Sequence, residues 1–278
     1  MFQFIANIFG YLLEWLYNGI GQNYGIALIL FTIILRIILL PLTIKQQKSM
    51  KKTTELQGKM QEIQFKYKNN PELMNKEIMD LYKRENLSPF SGCISSIVQI
   101  LIILSVFYLV SRPLTYMKKI DPGIIENYRN EISAENDGKI SNYYEIEIIQ
   151  KKAAQDENIK VNMDFLGLDL SKVPSQNMTD IKVYIIPILY VISSIFSIRM
   201  TTGKTKKKEQ NGSSEPDMTQ QMNKSMSYMM PIMAVSIVFV APLGLALYWL
   251  ISNILMILER IVINKYVDSK EEKTLCLK

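Results

Sequence analysis

Arg36 is the residue of this 278-residue chain whose type and position most directly suggest a chemical role. It lies near the middle of the apolar run YGIALILFTIILRIILLPL, which can cross a bilayer at about 1.5 Å per residue. A guanidinium stays charged there and costs from about 2.5 to more than 10 kcal/mol unless water or a polar partner relieves it. We therefore predict that Arg36 faces a wet, functional cavity, with Thr32 one helical turn earlier on the same face.

Polar side chains of a second apolar run are predicted to join this cavity. The run covers residues 89–110, and within it Ser95 and Gln99 are four residues apart on one helical face. An amide in the membrane is costly unless it bonds to a neighbouring helix or to water. We therefore assign Gln99, with Ser95 beside it, to the cavity that holds Arg36.

The composition excludes most catalytic chemistry. The sequence contains no histidine, which excludes histidine bases, histidine-dependent triads and the usual zinc sites. Cys93 and Cys276 follow no metal or disulfide spacing, and no serine lies in a nucleophile-elbow or P-loop pattern. The net charge of +6 is dispersed rather than gathered into a basic patch. We expect no catalytic residue, no cofactor, no metal, no enzymatic activity and no direct nucleic-acid specificity.

The apolar runs predict an all-α integral membrane protein with five transmembrane helices. These spans cover residues 23–44, 89–110, 182–199, 225–241 and 243–262. The last two divide one apolar stretch at Pro242-Leu243-Gly244, because a single helix would be about 48 Å long and exceed the hydrocarbon thickness. Residues 1–22 are aromatic and apolar, and they predict an amphipathic helix that lies in the membrane interface before the first span.

The first polar connection, residues 45–88, is predicted to form a helical hairpin. Residues 45–84 contain ten basic and five acidic side chains, and apolar residues recur at spacings of three and four in both halves. Asn70 suits the cap of the second helix and Pro71 suits its first turn. In the later polar region 111–181, two helix-like pieces precede an apolar motif; they are centred on 124–132 and 144–154, and the motif is Phe165-Leu166-Gly167-Leu168.

The charges of the loops predict the orientation of the spans. The hairpin, the loop 200–224 and the tail 263–278 together carry a basic excess, whereas residues 112–180 contain nine basic and twelve acidic side chains. Lysine and arginine concentrate in cytoplasmic loops. We therefore predict a cytoplasmic hairpin, loop and C-terminus, with the N-terminus and the region 111–181 outside.

These motifs together resemble the YidC/Oxa1/Alb3 family of membrane protein insertases. The resemblance rests on NYGIALILFTIILRIILLPLT, LYKRENLSPFSGC, IVQI, FLGLDLS, IIPIL, YMMPIM and APLGLALYWLISN, in this order. It covers almost the whole chain except residues 117–160. The sequence has no large outer domain and no transit peptide, so the expectation is a short Gram-positive-type member.

The resemblance implies that the five helices enclose a hydrophilic groove, open to the cytoplasm and to lipid and closed on the outer side. The residues expected to line the groove are Arg36, Thr32, Gln99, Ser95, Tyr248, Trp249 and Asn253. The residues expected to form the substrate slide on the third span are Ser193, Ser194, Ile195 and Phe196. The roles of Tyr248 and Trp249 in substrate contact come from the family pattern alone.

The implied function is the insertion and chaperoned folding of newly made membrane proteins in the bacterial plasma membrane. The implied partners are nascent membrane proteins and the lipid bilayer, together with the ribosome, the signal recognition particle pathway and the Sec translocon. One alternative is a small anion transporter or channel that binds its ion at Arg36. The sequence contains neither an inverted repeat nor an acidic residue deep in a span, and these are the features that would support a transporter. Another is a scaffold whose hairpin binds partners, for which leucine would replace Arg36 without loss.

Overall fold

A computed structural model describes residues 2–85, 91–202 and 235–275, and these residues are mostly helical. The helices are α1 (Phe2–Gly19), α2 (Tyr24–Lys66), α3 (Pro71–Arg84), α4 (Ser91–Ser111), α5 (Pro113–Tyr116), α6 (Pro122–Glu135), α7 (Tyr144–Lys152), α8 (Ile185–Thr202) and α9 (Leu243–Leu275). Residues 235–240 are also helical. The chain divides into two compact units, one comprising Met1–Arg36 and Ser105–Lys278 and the other Ile37–Leu104.

Three helices in the described part of the chain are long and apolar enough to cross a membrane. They cover Tyr24–Thr53, Ile181–Met200 and Leu243–Ile263, and α4 contains the shorter apolar stretch Ile97–Ser111. Residues 203–224 of the predicted loop and residues 225–234 of the predicted span 225–241 lie outside the described residues. The number of five spans therefore stays a prediction.

Two helices continue beyond the composition changes that marked the predicted span boundaries. Helix α2 passes through Pro41 and extends to Lys66, and α9 extends from Leu243 to Leu275. The residues that follow both apolar runs include lysine and glutamate, and those of α2 also include glutamine; such straight side chains lose little freedom in a helix. Residues 44 and 262 therefore mark changes in polarity within continuous helices.

The unit Ile37–Leu104 contains the hairpin predicted from the sequence. Asn70 caps α3, because its side chain accepts a hydrogen bond of 3.1 Å from the backbone N–H of Leu73. Across the turn, the Lys59 Nζ lies 2.8 Å from the Glu85 Oε1. These contacts confirm the predicted start of the second helix and pair it with the end of α2. The ion pair is largely exposed and contributes little to stability.

In the other unit, α1 packs closely against the segment that follows α4. Gly10 lies against the backbone of Tyr116, and an added Cβ would be 1.8 Å from the Tyr116 carbonyl oxygen. Phe9 meets Phe31 of α2 in an edge-to-face contact with ring centroids 5.5 Å apart. The opposite face of α1 exposes Phe4, Ile8, Tyr11 and Trp15. This division into two faces is typical of a helix that lies in an interface.

The apolar motif in the region 111–181 forms a β-hairpin, which the sequence analysis did not predict. Asp164–Phe165 pairs antiparallel with Leu168–Asp169. The turn Leu166-Gly167 has positive φ at both positions, 54° and 76°, as a two-residue hairpin turn of the I′ class requires. An added Cβ on Gly25 would be 2.5 Å from the Phe165 ring. The hairpin therefore packs directly onto the first turn of α2.

Helix α9 begins at the predicted break, because Pro242 lies outside regular helix and Leu243 is the first helical residue. The backbone N–H groups of Leu243 and Gly244 donate to the carbonyl oxygens of Lys172 and Leu170, at 2.9 and 2.8 Å. Free N–H groups at a helix start need such partners. The region 111–181 therefore fixes the start of α9.

Two buried charged residues hold the helices of the region 111–181 together. The Glu145 carboxylate accepts hydrogen bonds from the Thr115 backbone N–H at 2.9 Å and from the Thr115 Oγ1 at 2.6 Å. Burial raises the pKa of Glu145 because removal from water disfavours the charged form. The Lys152 Nζ lies 2.9 Å from Glu131 and 3.0 Å from Glu135, and its hydrogen bonds to them raise its pKa.

Candidate functional site around Arg36

Arg36 of α2 finds its polar partners on α9. Its Nη2 donates to the Ser252 carbonyl oxygen at 3.0 Å and to the Ser252 Oγ at 2.6 Å, and its Nη1 lies 3.6 Å from the Glu259 Oε2. The side chains of Arg36 and Glu259 are only 13% and 12% exposed. We call Arg36, Ser252 and Glu259 the Arg36 cluster. A charge near the middle of one candidate span is thus met by oxygens of another.

The two partners hold Arg36 in different ways. Both Ser252 oxygens lie at ordinary hydrogen-bond distance, whereas 3.6 Å to Glu259 is too long for a hydrogen bond. The Glu259 Oε2 is buried and accepts no hydrogen bond from the described residues. Ser252 therefore positions the guanidinium, and Glu259 acts on it mainly through its charge.

The helical period brings these groups to one face of α9. Ser252 and Glu259 are seven residues apart, which is close to two turns. Tyr248, one turn before Ser252, is 3% exposed and lies close enough to Ser252 for a side-chain hydrogen bond. Tyr248 was predicted as a groove residue, and the structure places it next to the residue that binds Arg36.

A second set of polar contacts joins α9 to α8. The Asn253 Nδ2 donates to the Ser193 Oγ at 2.9 Å and to the Ser194 Oγ at 3.3 Å. The Ser193 Oγ donates in turn to the Tyr190 carbonyl oxygen at 2.9 Å. The rings of Tyr190 and Trp249 are 6.3 Å apart. Four of the predicted residues are therefore brought together where these helices meet.

Other predicted residues have different surroundings. Thr32 is 1% exposed, and its hydroxyl donates to the Leu28 carbonyl oxygen of its own helix at 2.6 Å. Ile195 and Phe196 each leave about half of their surface exposed on α8. Thr32 is therefore satisfied within α2, while the two α8 residues present apolar surface outward.

Gln99 and Ser95 belong to the unit Ile37–Leu104. Gln99 is half-buried on α4, and the side chain of Ser95 lies outside the described residues. The assignment of these two residues to the cavity of Arg36 stays a prediction.

The sequence analysis identified neither Ser252 nor Glu259 as a partner of Arg36. The available signal was their seven-residue spacing on one face of an apolar helix, beside the predicted Asn253. Glu259 also bears on the argument against a transporter, which noted no acidic residue deep in a span. It lies within the candidate span Leu243–Ile263, toward its C-terminal end.

The chemistry of the Arg36 cluster is set by the hydrogen-bond donors of its guanidinium. A guanidinium presents five N–H donors in a planar fork, which suits carboxylates and carbonyl oxygens. Among the described residues, no group of three or more aspartate, glutamate or cysteine side chains is arranged to hold a metal ion. The Arg36 guanidinium therefore carries donors from which a carboxylate or a carbonyl oxygen can accept hydrogen bonds.

The apolar helices and the charged cluster between two of them define a multi-pass α-helical membrane protein. The chain belongs to the 60Kd inner membrane protein family, whose family model matches residues 15–271. This match covers most of the chain and confirms the resemblance to the YidC/Oxa1 insertases that the motifs indicated.

Several relatives carry the name membrane protein insertase YidC. The protein of Treponema denticola is 30% identical over 263 residues, which are 94% of this chain and 37% of that protein. The protein of Oceanobacillus iheyensis is 28% identical over 272 residues, which are 95% of this chain and 85% of that protein. A shorter match to the Clostridium perfringens protein is 44% identical over 91 residues, 33% of this chain and 38% of that protein. The chain spans little more than a third of the Treponema denticola and Geobacter metallireducens relatives.

Proposed function

We propose that this chain is a membrane protein insertase, which inserts newly made membrane proteins into the bacterial plasma membrane and helps them to fold. The observation that carries the proposal is Arg36, a charge within an apolar helix that is held by polar groups of a second candidate span. Ionisable residues inside membrane spans mark polar pathways and functional sites. The names of the relatives support the same activity.

In the proposed mechanism, a short hydrophilic segment of the incoming protein enters a groove between the spans. Arg36 and water lower the free-energy cost of taking its polar groups partway across the membrane. The groove residues are those expected from the family pattern: Arg36, Thr32, Gln99, Ser95, Tyr248, Trp249 and Asn253. The segment's polar groups exchange contacts there without any covalent step.

The apolar part of the substrate moves along α8 and α9 into the lipid. The slide comprises Ser193, Ser194, Ile195 and Phe196, of which the last two are half exposed. Burial of about 20 apolar residues in the bilayer then drives insertion to completion, without nucleotide hydrolysis by this chain.

The hairpin and the C-terminus are cytoplasmic in this proposal, and the N-terminus and the region 111–181 face outward. The hairpin receives substrates with the ribosome and the signal recognition particle pathway, and insertion proceeds alone or beside the Sec translocon. The charge difference between the hairpin and residues 112–180 supports this orientation.

An anion transporter is less well supported by the site. Arg36 faces the carboxylate of Glu259, so the cluster does not offer an uncompensated cation to a small anion. Two hydrogen bonds from the guanidinium are already made within the protein, both to Ser252.

The test is insertion of a small single-span protein into liposomes that contain the purified chain, scored by protection from protease. We expect insertion by the wild type and by Lys160→Ala, which removes an exposed cation of the outer region, and loss of insertion by Arg36→Ala. Equal insertion by the wild type, Lys160→Ala and Arg36→Ala would show that insertion does not require Arg36. Anion flux without insertion would favour the transporter, and inactivity where a relative works would contradict autonomous insertion.

A further inference from the structure

Glu259 is the member of the Arg36 cluster that the proposed mechanism leaves without a role. Its Oε2 lies 3.6 Å from the Arg36 Nη1, and its side chain is 12% exposed. The same oxygen accepts no hydrogen bond from the described residues. A buried carboxylate oxygen without a hydrogen bond depends on a neighbouring charge. Glu259 therefore depends on Arg36 more than Arg36 depends on Glu259.

Arg36 depends less on Glu259 because it has hydrogen-bond partners of its own. Ser252 binds the guanidinium through two oxygens, at 2.6 and 3.0 Å, whichever charge residue 259 carries. Neutralising Glu259 would thus change the charge of the cluster and leave Arg36 positioned. The attraction between the two charges is strengthened by their shared burial, because a low dielectric screens them weakly.

We propose that Glu259 is a resident counter-ion which an acidic group of a translocating segment must displace from Arg36. An incoming carboxylate competes with Glu259 for the same guanidinium, whereas a neutral amide or hydroxyl does not have to separate the two charges. Glu259 thereby selects the substrate class: hydrophilic segments whose polar residues are neutral are accepted more readily than acidic ones. This inference rests on the proposed insertase function and concerns the same site.

The experiment uses two substrates that differ only in the translocated segment, which carries two aspartates in one and two asparagines in the other. Each is presented to liposomes containing the full-length wild type or Glu259→Gln, a substitution of nearly the same shape without the charge. We expect Glu259→Gln to raise the ratio of aspartate to asparagine substrate inserted by about tenfold, a change within the usual range for coupled binding events. The matched control is Glu157→Gln, an exposed carboxylate of the outer region, which should leave the ratio unchanged.

A double-variant comparison separates competition from a structural role. In an Arg36→Gln background, Glu259→Gln should no longer change the ratio, because the cation for which the two carboxylates compete is absent. A ratio that stays the same in Glu259→Gln while both substrates are inserted would overturn the inference and leave the insertase intact. A wild type that inserts neither substrate, where a relative inserts both, would overturn the proposed function and the inference with it.

If Glu259→Gln does not accumulate, Glu259→Asp replaces it in the same experiment. Because its side chain is shorter, Glu259→Asp should raise the ratio to a smaller extent. An unchanged ratio would again overturn the inference.

Discussion

Asn253 of α9 donates a 2.9 Å hydrogen bond to the Oγ of Ser193 on α8. The Ser193 hydroxyl in turn donates a hydrogen bond to the Tyr190 carbonyl oxygen, so an amide, a hydroxyl and a carbonyl form a continuous chain of hydrogen bonds. Asn253 is 8% exposed, where an unpaired amide would be costly. Because Ser252 is the preceding residue, this bond also helps to set the rotation of α9 that directs Ser252 to Arg36.

Replacing Asn253 by leucine should therefore weaken the packing of α9 on α8. Hydrogen bonds between membrane helices contribute about 0.6 kcal/mol on average and up to about 1.7. We expect a lower melting temperature in detergent, measured by intrinsic fluorescence. Ser194→Ala, which removes the longer contact of 3.3 Å to Asn253, should have a smaller effect. An unchanged melting temperature for Asn253→Leu would show that the bond does not stabilise this contact.

Gly10→Ala should detach α1 from α5, against whose Tyr116 backbone it packs. The new Cβ would lie 1.8 Å from the Tyr116 carbonyl oxygen, a distance that no rotamer change relieves. Forced overpacking of this kind costs about 1 to 3 kcal/mol or more. Hydrogen exchange of the α1 amides should become faster, whereas Gly19→Ala, which meets nothing within 4 Å, should leave it unchanged. Equal protection in both variants would contradict the packing described for α1.

The stability of the contact between α5 and α7 should depend on pH through Glu145. Its pKa is raised in the folded protein, so the folded state binds the proton more tightly than the unfolded state. Stability is therefore highest below the ordinary glutamate pKa of about 4.3 and falls as pH rises through the raised value. We expect exchange of the Thr115 amide, corrected for its intrinsic rate, to become faster across this window.

Glu145→Gln is the matched variant for the pH dependence. A glutamine can accept from the Thr115 N–H through its Oε1 and donate to the Thr115 Oγ1 through its Nε2, which preserves both contacts. Thr115 should stay protected and lose the pH dependence that the carboxylate causes. Persistence of the same pH dependence in the glutamine variant would assign it to another group.

Arg36→Lys tests whether charge or fork geometry matters in the groove. Lysine retains the positive charge beside Glu259 but cannot reproduce the planar donor fork. We expect Arg36→Lys to keep much of the insertion activity and Arg36→Ala to lose it for substrates with acidic outer segments, in the liposome assay. Equal loss in both variants would show that the guanidinium shape, rather than its charge, is required.

Local features of this protein were predictable from the sequence. Apolar run length identified the helices that begin at Tyr24, Ile181 and Leu243, and capping chemistry identified Asn70 as the start of α3. The helix-like pieces in the outer region correspond to α6 and α7. Each of these depends on neighbouring residues, whose period and propensities are written directly in the chain.

The sequence by itself also determined that Arg36 needs a polar environment, because no guanidinium is stable in hydrocarbon. Only the tertiary structure decided that the environment is Ser252, 216 residues away, together with Glu259. The pairing of Asn253 with Ser193 and the docking of Phe165 on Gly25 were decided in the same way. Such partners depend on how each helix is rotated about its axis against its neighbours, and helical periodicity leaves several rotations equally consistent with one sequence.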